Sequence, residues 1–280
     1  MSDLHGHRDR FEKLFDVMCT ERPSAVFIGG DILPSGVASL WRTNPSYRDF
    51  IDAYLVPRLT DLRTRLEDDY PAIFVILGND DPRIEEAAVL RAAEQRLWDY
   101  VHGTRAELGD YTVFGYAYVP PTPFLLKDWE RYDVSRYVDP GCVAPDEGAL
   151  SMPVGDDLQW STIQKDVDNL TAESNLEKAV ILFHTPPYNT SLDRAALDGK
   201  MVDHVPLDLH VGSIAVQRFI EERQPLLTLH GHVHESARLT GEWRTRIGAT
   251  HAFNAAHEGP ELALVRFDLE DLAGATRELI

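Results

Sequence analysis

Residues 72–81 read AIFVILGNDD, and this stretch decides how the remainder is parsed. Six apolar residues, Ala72 to Leu77, run without alternation, as a strand covered on both faces does. Gly78, Asn79, Asp80 and Asp81 then end it abruptly, and Pro82 is suited to the first turn of a helix. The same grammar recurs outward in both directions. Ala25–Gly29 (AVFIG) is followed by Gly30 and Asp31, Ala179–Phe183 (AVILF) by His184, and Leu226–Leu229 (LLTL) by His230 to His234. Helical spacing separates these runs. Phe11, Leu14, Phe15 and Met18 form one face over Arg8–Met18. Tyr47–Leu66 continues the pattern with a kink or break at Pro57, and Pro82–Trp98 and Ser213–Arg223 read as helices. Thr112–Val119 alternates as a strand, and two more strands are expected around Trp243–Gly248 and Leu262–Leu269. Strands alternating with helices predict a layered α/β fold over one domain, residues 1–280. The irregular, Pro-, Gly- and Asp-rich stretch at about 121–160 is read as an insertion that covers the site or an interface.

Composition narrows the function. Of 280 residues, 46 are Asp or Glu and 27 are Lys or Arg, giving a formal charge of −19. Such a charge repels anionic membrane surfaces and polymeric nucleic acid. No apolar stretch approaches membrane-spanning length. Cys19 and Cys142 form no framework, which suits the cytoplasm. Collagen, coiled-coil, disulfide-scaffold and membrane classes are therefore excluded. Association with a second copy is left open.

The chemistry-bearing residues collect after the strands. Asp3 and His5, two apart, point to one side of an extended backbone. Asp31, Asn79, Asp80, His184, His232 and His234 each follow an apolar run. Loops at the carboxyl ends of strands share one sheet edge in α/β folds. One edge would then hold carboxylates, an amide and imidazoles together. Hard oxygens mixed with imidazole suit divalent manganese, iron or zinc. No G-x-S-x-G, P-loop or Cys–His signature offers a nucleophile.

Taken in order, Asp3-Leu4-His5, Gly30-Asp31, Gly78-Asn79-Asp80-Asp81, His184 and Gly231-His232-Val233-His234 resemble the calcineurin-like metallophosphoesterase superfamily. Its pattern is D-x-H, G-D, G-N-H-[DE], H and G-H-x-H. The segments HTPPYNT (184–190) and LHGHVHES (229–236) look like its bacterial and archaeal members. The resemblance implies a four-layer αββα sandwich with a dinuclear metal centre. One metal would take Asp3, His5, Asp31 and His234; the other would share Asp31 and take Asn79, His184 and His232. Asn79 and His232 would also hold the substrate's charge. The implied activity is hydrolysis of a small phosphoester by a metal-activated bridging hydroxide. Two divalent ions against two carboxylates and one hydroxide leave about +1, enough to bind phosphate in an acidic protein.

Two departures from the pattern matter. Asp80 stands where the family carries a histidine regarded as the proton donor. A carboxylate beside cations is a poor general acid, which favours phosphodiesters and acidic leaving groups. Asp81 matches the acidic fourth position and is expected to orient a catalytic or ligand side chain. Only Met1 and Ser2 precede Asp3, so the first core strand of the family is expected to be missing. His7 is a candidate substrate contact, and Tyr188 and His230 neighbour the ligands. Lys127, Trp129 and Arg131 are read as a solvated loop. A non-catalytic scaffold of this fold and a nuclease are the alternative functions.

Overall fold

The computed structural model describes residues 1–35, 49–153, 158 and 160–280. Tyr47 and Arg48, the start of the second predicted helix, lie outside them, as do 154–157 and 159 of the predicted insertion. Three strands, β1 (Ala25–Gly29), β2 (Ala72–Ile76) and β3 (Asp99–Tyr100), form a parallel sheet in the order β1-β2-β3. A second, six-stranded sheet has the order β10-β11-β9-β6-β5-β4. Its strands are β4 (Arg105–Leu108), β5 (Tyr111–Tyr116), β6 (Ala179–Phe183), β9 (Leu227–His230), β10 (Arg244–Ile247) and β11 (Thr250–Asn254). Within it β5, β6, β9 and β11 run parallel. A small ribbon, β7 (Met201–Val202) and β8 (Val205–Pro206), and a hairpin, β12 (Ala263–Asp268) and β13 (Asp271–Leu279), complete the described strands.

Side-chain alternation makes the layers. In β1, Val26 and Ile28 join one apolar cluster with Phe11, Leu14, Phe15 and Met18 of α1 (Arg8–Glu21), and with Leu59 and Leu62 of α2 (Val56–Leu66). Phe27 between them points the other way, into a cluster with Phe74, Ile76, Val180, Leu182 and Leu227 from both sheets. In β6, Ile181 and Phe183 face outward with Val216, Phe219 and Ile220 of α5 (Ile214–Arg223) and Val167 of α4 (Ile163–Thr171). Strands β1 and β6 are thus apolar on both faces, one against helices and one against the opposite sheet. Helices, sheet, sheet and helices give the expected αββα sandwich.

Local chemistry sets the helix ends. Pro57 falls in the first turn of α2, where its missing N–H costs nothing, and a π-helical turn, Phe50–Leu55, leads into it. The predicted kink is therefore a helix start. Residues 82–98 form less helix than expected: a 3₁₀ turn, Arg83–Glu85, precedes α3 (Glu86–Glu94). Thr162 and Ser213 cap α4 and α5 through bonds from Lys165 N and Val216 N. A last short helix, α6 (Ser236–Thr240), follows the G-H-x-H loop.

The stretch from residue 121 carries no helix or named strand in its described part up to Pro153. It is nevertheless packed, and the solvated-loop expectation for Lys127 and Trp129 does not hold. Both are fully buried. The Lys127 ammonium donates to Glu130 Oε2 at 2.6 Å and to the Thr122 carbonyl at 2.8 Å, and Glu130 is also fully buried. Asp133 accepts from Ser213 Oγ, Ile214 N and Ala215 N, fastening the stretch to the start of α5. Arg131 stacks on Tyr118 and pairs with Asp166.

Met1 to Asp3 lie beside β1 with strand-like bonds, Met1 N to Phe27 O and Gly29 N to Met1 O. Among the described residues no named strand precedes α1. A mainly apolar cavity of about 700 Å³ opens between α1, β1 and β12, lined by Leu14, Met18, Phe27, Leu182, Phe253 and Leu264 among others. Gly29 and His230 reach it from beside the motif loops, but no candidate metal ligand lines it.

His102 supplies a test of the packing. The rings of Tyr116, Tyr118 and Trp129 surround it at 4.9–5.9 Å, and its Nδ1 accepts from Ala117 N at 3.0 Å. Burial, helped by Arg83 and Arg131, pushes its pKa down to about 3. The unfolded chain takes up this proton near pH 6.5, the folded chain only near 3. Stability is therefore expected to fall as pH drops through that window, by about 1 kcal/mol per pH unit from this residue. Denaturant unfolding at pH 7, 6 and 5 should show a shallower fall for His102→Asn, whose side-chain oxygen can accept the Ala117 bond. Equal slopes in both proteins would disprove the assignment.

Candidate metal centre

Asp31, Asn79, His184, His232 and His234 follow strand ends, Asp3 and His5 follow the segment bonded to β1, and these loops converge. Asp3 and Asp31 are buried, and His184 is fully so. Four donors, from Asp3, His5, Asp31 and His234, lie within 4.8 Å of one another. His234 Nε2 is 3.0 Å from Asp3 Oδ1 and 3.3 Å from His5 Nε2. His5 Nε2 is 3.8 Å from Asp31 Oδ2. The same Asp31 oxygen is 3.3 Å from His184 Nε2, which is 3.0 Å from Asn79 Oδ1. His232 Nδ1 lies 2.7 Å from that amide oxygen. All seven residues singled out in the sequence are thus brought together, in two half-sites that meet at Asp31.

The backbone at these positions is unusual. Asp3 (φ 59°), His5 (φ 47°), Asp31 (φ 50°) and His232 (φ 69°) all occupy the left-handed region, which L-residues enter at a cost. Neighbouring bonds hold them there: Asp3 N to Gly30 O, His5 N to Asp31 O, and His232 N to Asp3 Oδ1 and Oδ2. Glycine precedes the ligands for a steric reason. At Gly30 (φ 98°) a Cβ would lie 2.6 Å from His184 Nδ1, and at Gly78 it would lie 2.6 Å from His184 Cε1. The G-D and G-N pairs therefore encode close packing around His184.

Charge shows what the cluster lacks. Burial works to raise the Asp3 carboxyl, but the charges of His234, His184 and His5 hold it well below the usual range. For Asp31, burial likewise works upward and is outweighed, mainly by His184. For His5, burial is outweighed by the bond to Asp80 and the charges of Asp31 and Asp3, and its pKa rises to about 9. His184 also rises to about 9 against burial, mainly through Asp31. His232, half-buried and facing His184, is pushed down to about 3 by loss of hydration. Protons on imidazole here balance two buried carboxylates, and among the described residues neither carboxylate has a Lys or Arg salt bridge. Nε2 atoms of His5 and His234 facing each other at 3.3 Å, with carboxylate oxygens alongside, fit a cation better than a hydrogen bond. Cation uptake would release protons from this set.

Other expected residues have separate roles. Asp81 is fully buried and accepts from Ile32 N (3.1 Å), Leu33 N (2.7 Å) and Gly78 N (2.9 Å), tying the Asp31 loop to the Asn79 loop. Burial and the Asp31 charge raise its carboxyl to about 8. Asp80 lies at the cluster's edge, with Oδ2 3.3 Å from His5 Nδ1. His7 is exposed at the start of α1. His230 is a core residue, bonded to Thr185 O and Thr228 Oγ1 and stacked on Phe183. Tyr188 bonds Asp208. Sequence reading missed three supports: Gly29 O, which fixes His184 Nδ1 at 2.7 Å; Arg10, which donates to Asp3 O at 2.7 Å; and Ser35, which donates to Asp80 Oδ1 at 3.0 Å. Only Gly29 stood within a motif; the other two carry no local signal.

Comparison with known proteins agrees with this geometry. A family model described as calcineurin-like phosphoesterase matches residues 1–236. One solved structure is similar at 20% identity with a TM-score of 0.59, covering 100% of this chain and 96% of its own. A second, TT1561 of Thermus thermophilus, is similar at 17% identity with a TM-score of 0.55 and the same coverage. At such identities the likeness shows the fold alone. No curated protein matches the sequence.

Proposed function

From the premise that the chain belongs to the calcineurin-like phosphoesterase family and is a metal-dependent phosphoesterase, we propose that it hydrolyses small phosphodiesters. The observation that carries the metal-dependent part is the convergence of two half-sites on Asp31 Oδ2. Asp3, His5, Asp31 and His234 would hold one divalent ion, and Asp31, Asn79, His184 and His232 the other. Manganese is the first candidate and iron or zinc the next. Bound there, the ions supply activated water and neutralise phosphoryl charge. The paired Asn79 and His232, the latter half-buried, are the groups to hold phosphoryl oxygens; Asp81 keeps the two ligand loops in register.

The diester preference rests on Asp80. A carboxylate replaces the imidazole that could protonate an alkoxide, so leaving groups that depart as anions should be favoured. The 121–160 stretch, in a chain acting as one domain, would wall the site: Asp128 accepts from Arg83 N at 2.7 Å, next to the Asn79–Asp81 loop. Among the described residues no helix is long and apolar enough to cross a membrane. Two free cysteines support a reducing, cytoplasmic setting.

The test is turnover of an aryl phosphodiester and an alkyl phosphomonoester with Mn²⁺ and with chelator. The aryl diester should turn over only with metal, and the alkyl monoester more slowly by roughly 10²–10⁴-fold, the value of general acid catalysis. Full activity in a verified metal-free sample would remove the metal chemistry. Bound metal without any turnover would favour a scaffold.

A further inference from the structure

We propose that Asp80 is a positioning residue for His5, so that this place in the third motif serves ligand orientation instead of proton donation. The two ends of the His5 ring have different surroundings. Nδ1 faces Asp80 Oδ2 at 3.3 Å. Nε2 faces His234 Nε2 at 3.3 Å and Asp31 Oδ2 at 3.8 Å, inside the first half-site. A carboxylate on one ring nitrogen keeps the proton there and leaves the lone pair on the other, which also becomes more basic. His5 is thereby set to offer Nε2 to a cation.

Asp80 is itself held in place. Ser35 Oγ donates to its second oxygen at 3.0 Å, and its backbone N–H donates to Asp31 Oδ1 at 2.8 Å. One residue thus touches the shared ligand through its backbone and His5 through its side chain. With one oxygen accepting from Ser35 and the other facing His5, the carboxylate is committed to orientation. The substrates that follow are those whose leaving group departs as a stable anion, such as a phenolate or a phosphate. This deepens the proposed metal chemistry and rests on it.

The test is binding of Mn²⁺ alone by equilibrium dialysis, with thermal melts as the check on folding. Wild type should bind two ions. Asp80→Ala should weaken one of them about 10–100-fold, the range for an outer partner of a metal-binding histidine, and leave the other nearly unchanged. His5→Ala should weaken the same ion, and the double variant should be no worse than His5→Ala if the Asp80 carboxylate reaches the ion through His5. Asp80→Asn should restore most of the affinity, because a side-chain oxygen can still face His5 Nδ1. Additive losses, or an Asn variant as damaged as Ala, would make Asp80 a ligand and overturn the proposal. Unchanged binding in Asp80→Ala would overturn it too. A measurement on wild type needs no variant: ¹⁵N shifts of Zn²⁺-loaded protein should show His5 protonated at Nδ1, and the opposite tautomer defeats the assignment. A wild type that binds no metal would instead refute the metal reading itself.

Discussion

Asp31→Asn is expected to cost the protein both cations at once. Its Oδ2 faces His5 on one side and His184 on the other, so no second group can take over its place. An amide keeps the shape but loses the charge, and its NH₂ would point a donor at one half-site. Elemental analysis after dialysis should find well under one ion per chain, against two in wild type. Turnover at moderate metal should drop by about 10²–10³-fold or more, since loss of a single preorganised electrostatic contact already costs that much. His5→Ala should behave differently, losing mainly one ion. If Asp31→Asn keeps two tightly bound ions, the half-sites do not share a ligand. Equal losses in the two variants would point to a single composite site.

Lys127→Met should produce the largest loss of stability outside the metal centre. Its ammonium neutralises Glu130 in a place where both side chains are fully buried. Burial pushes the Glu130 carboxyl up to about 7 even with Lys127 present. Removing the lysine leaves a buried acid without its partner, a change that costs roughly 3–5 kcal/mol. For a chain of this size, that is a fall in Tm on the order of 6–20 °C. The deficit should shrink toward pH 5. There Glu130 is protonated in the folded protein while the unfolded chain, with its ordinary pKa near 4.5, still carries the charge. Thermal melts at pH 8 and pH 5 test both parts. A Tm within about 2 °C of wild type at pH 8 would mean that the pair contributes little. Metal content should be unaffected, since the Lys127 ammonium bonds Glu130 and Thr122 and none of the ligands.

The strands that build the site were plain in the sequence because they are covered on both faces. AVFIG and AVILF coincide with β1 and β6 residue for residue. The residues that follow them are the ones that meet, because parallel strands must deliver their carboxyl ends to one edge. Elements that rest on tertiary support were not visible. The two-residue β3 and the exposed β4 have little apolar periodicity to read, and β4 exists by pairing with β5. Residues 121–153 look polar, yet their charges are engaged, Lys127 with Glu130 inside the stretch and Arg131 with Asp166 outside it. A lysine three positions before a glutamate says nothing about burial until the chain has folded around both. Asp80 is the sharpest case. Its identity showed a departure from the motif, but only the 3.3 Å approach to His5 shows where its carboxylate goes.

The left-handed backbone of Asp3, His5, Asp31 and His232 has a consequence for how this sequence can change. Such conformations cost of order 1 kcal/mol or more at each non-glycine residue, and glycine would relieve much of it. Random mutagenesis selected for heat resistance alone should therefore favour glycine or asparagine at these positions, eroding the D-x-H and G-H-x-H motifs while the sandwich survives. Selection for turnover would push them back. Thermal robustness and activity pull this protein toward different sequences at the same few codons, so an engineered library should be sorted on both traits together.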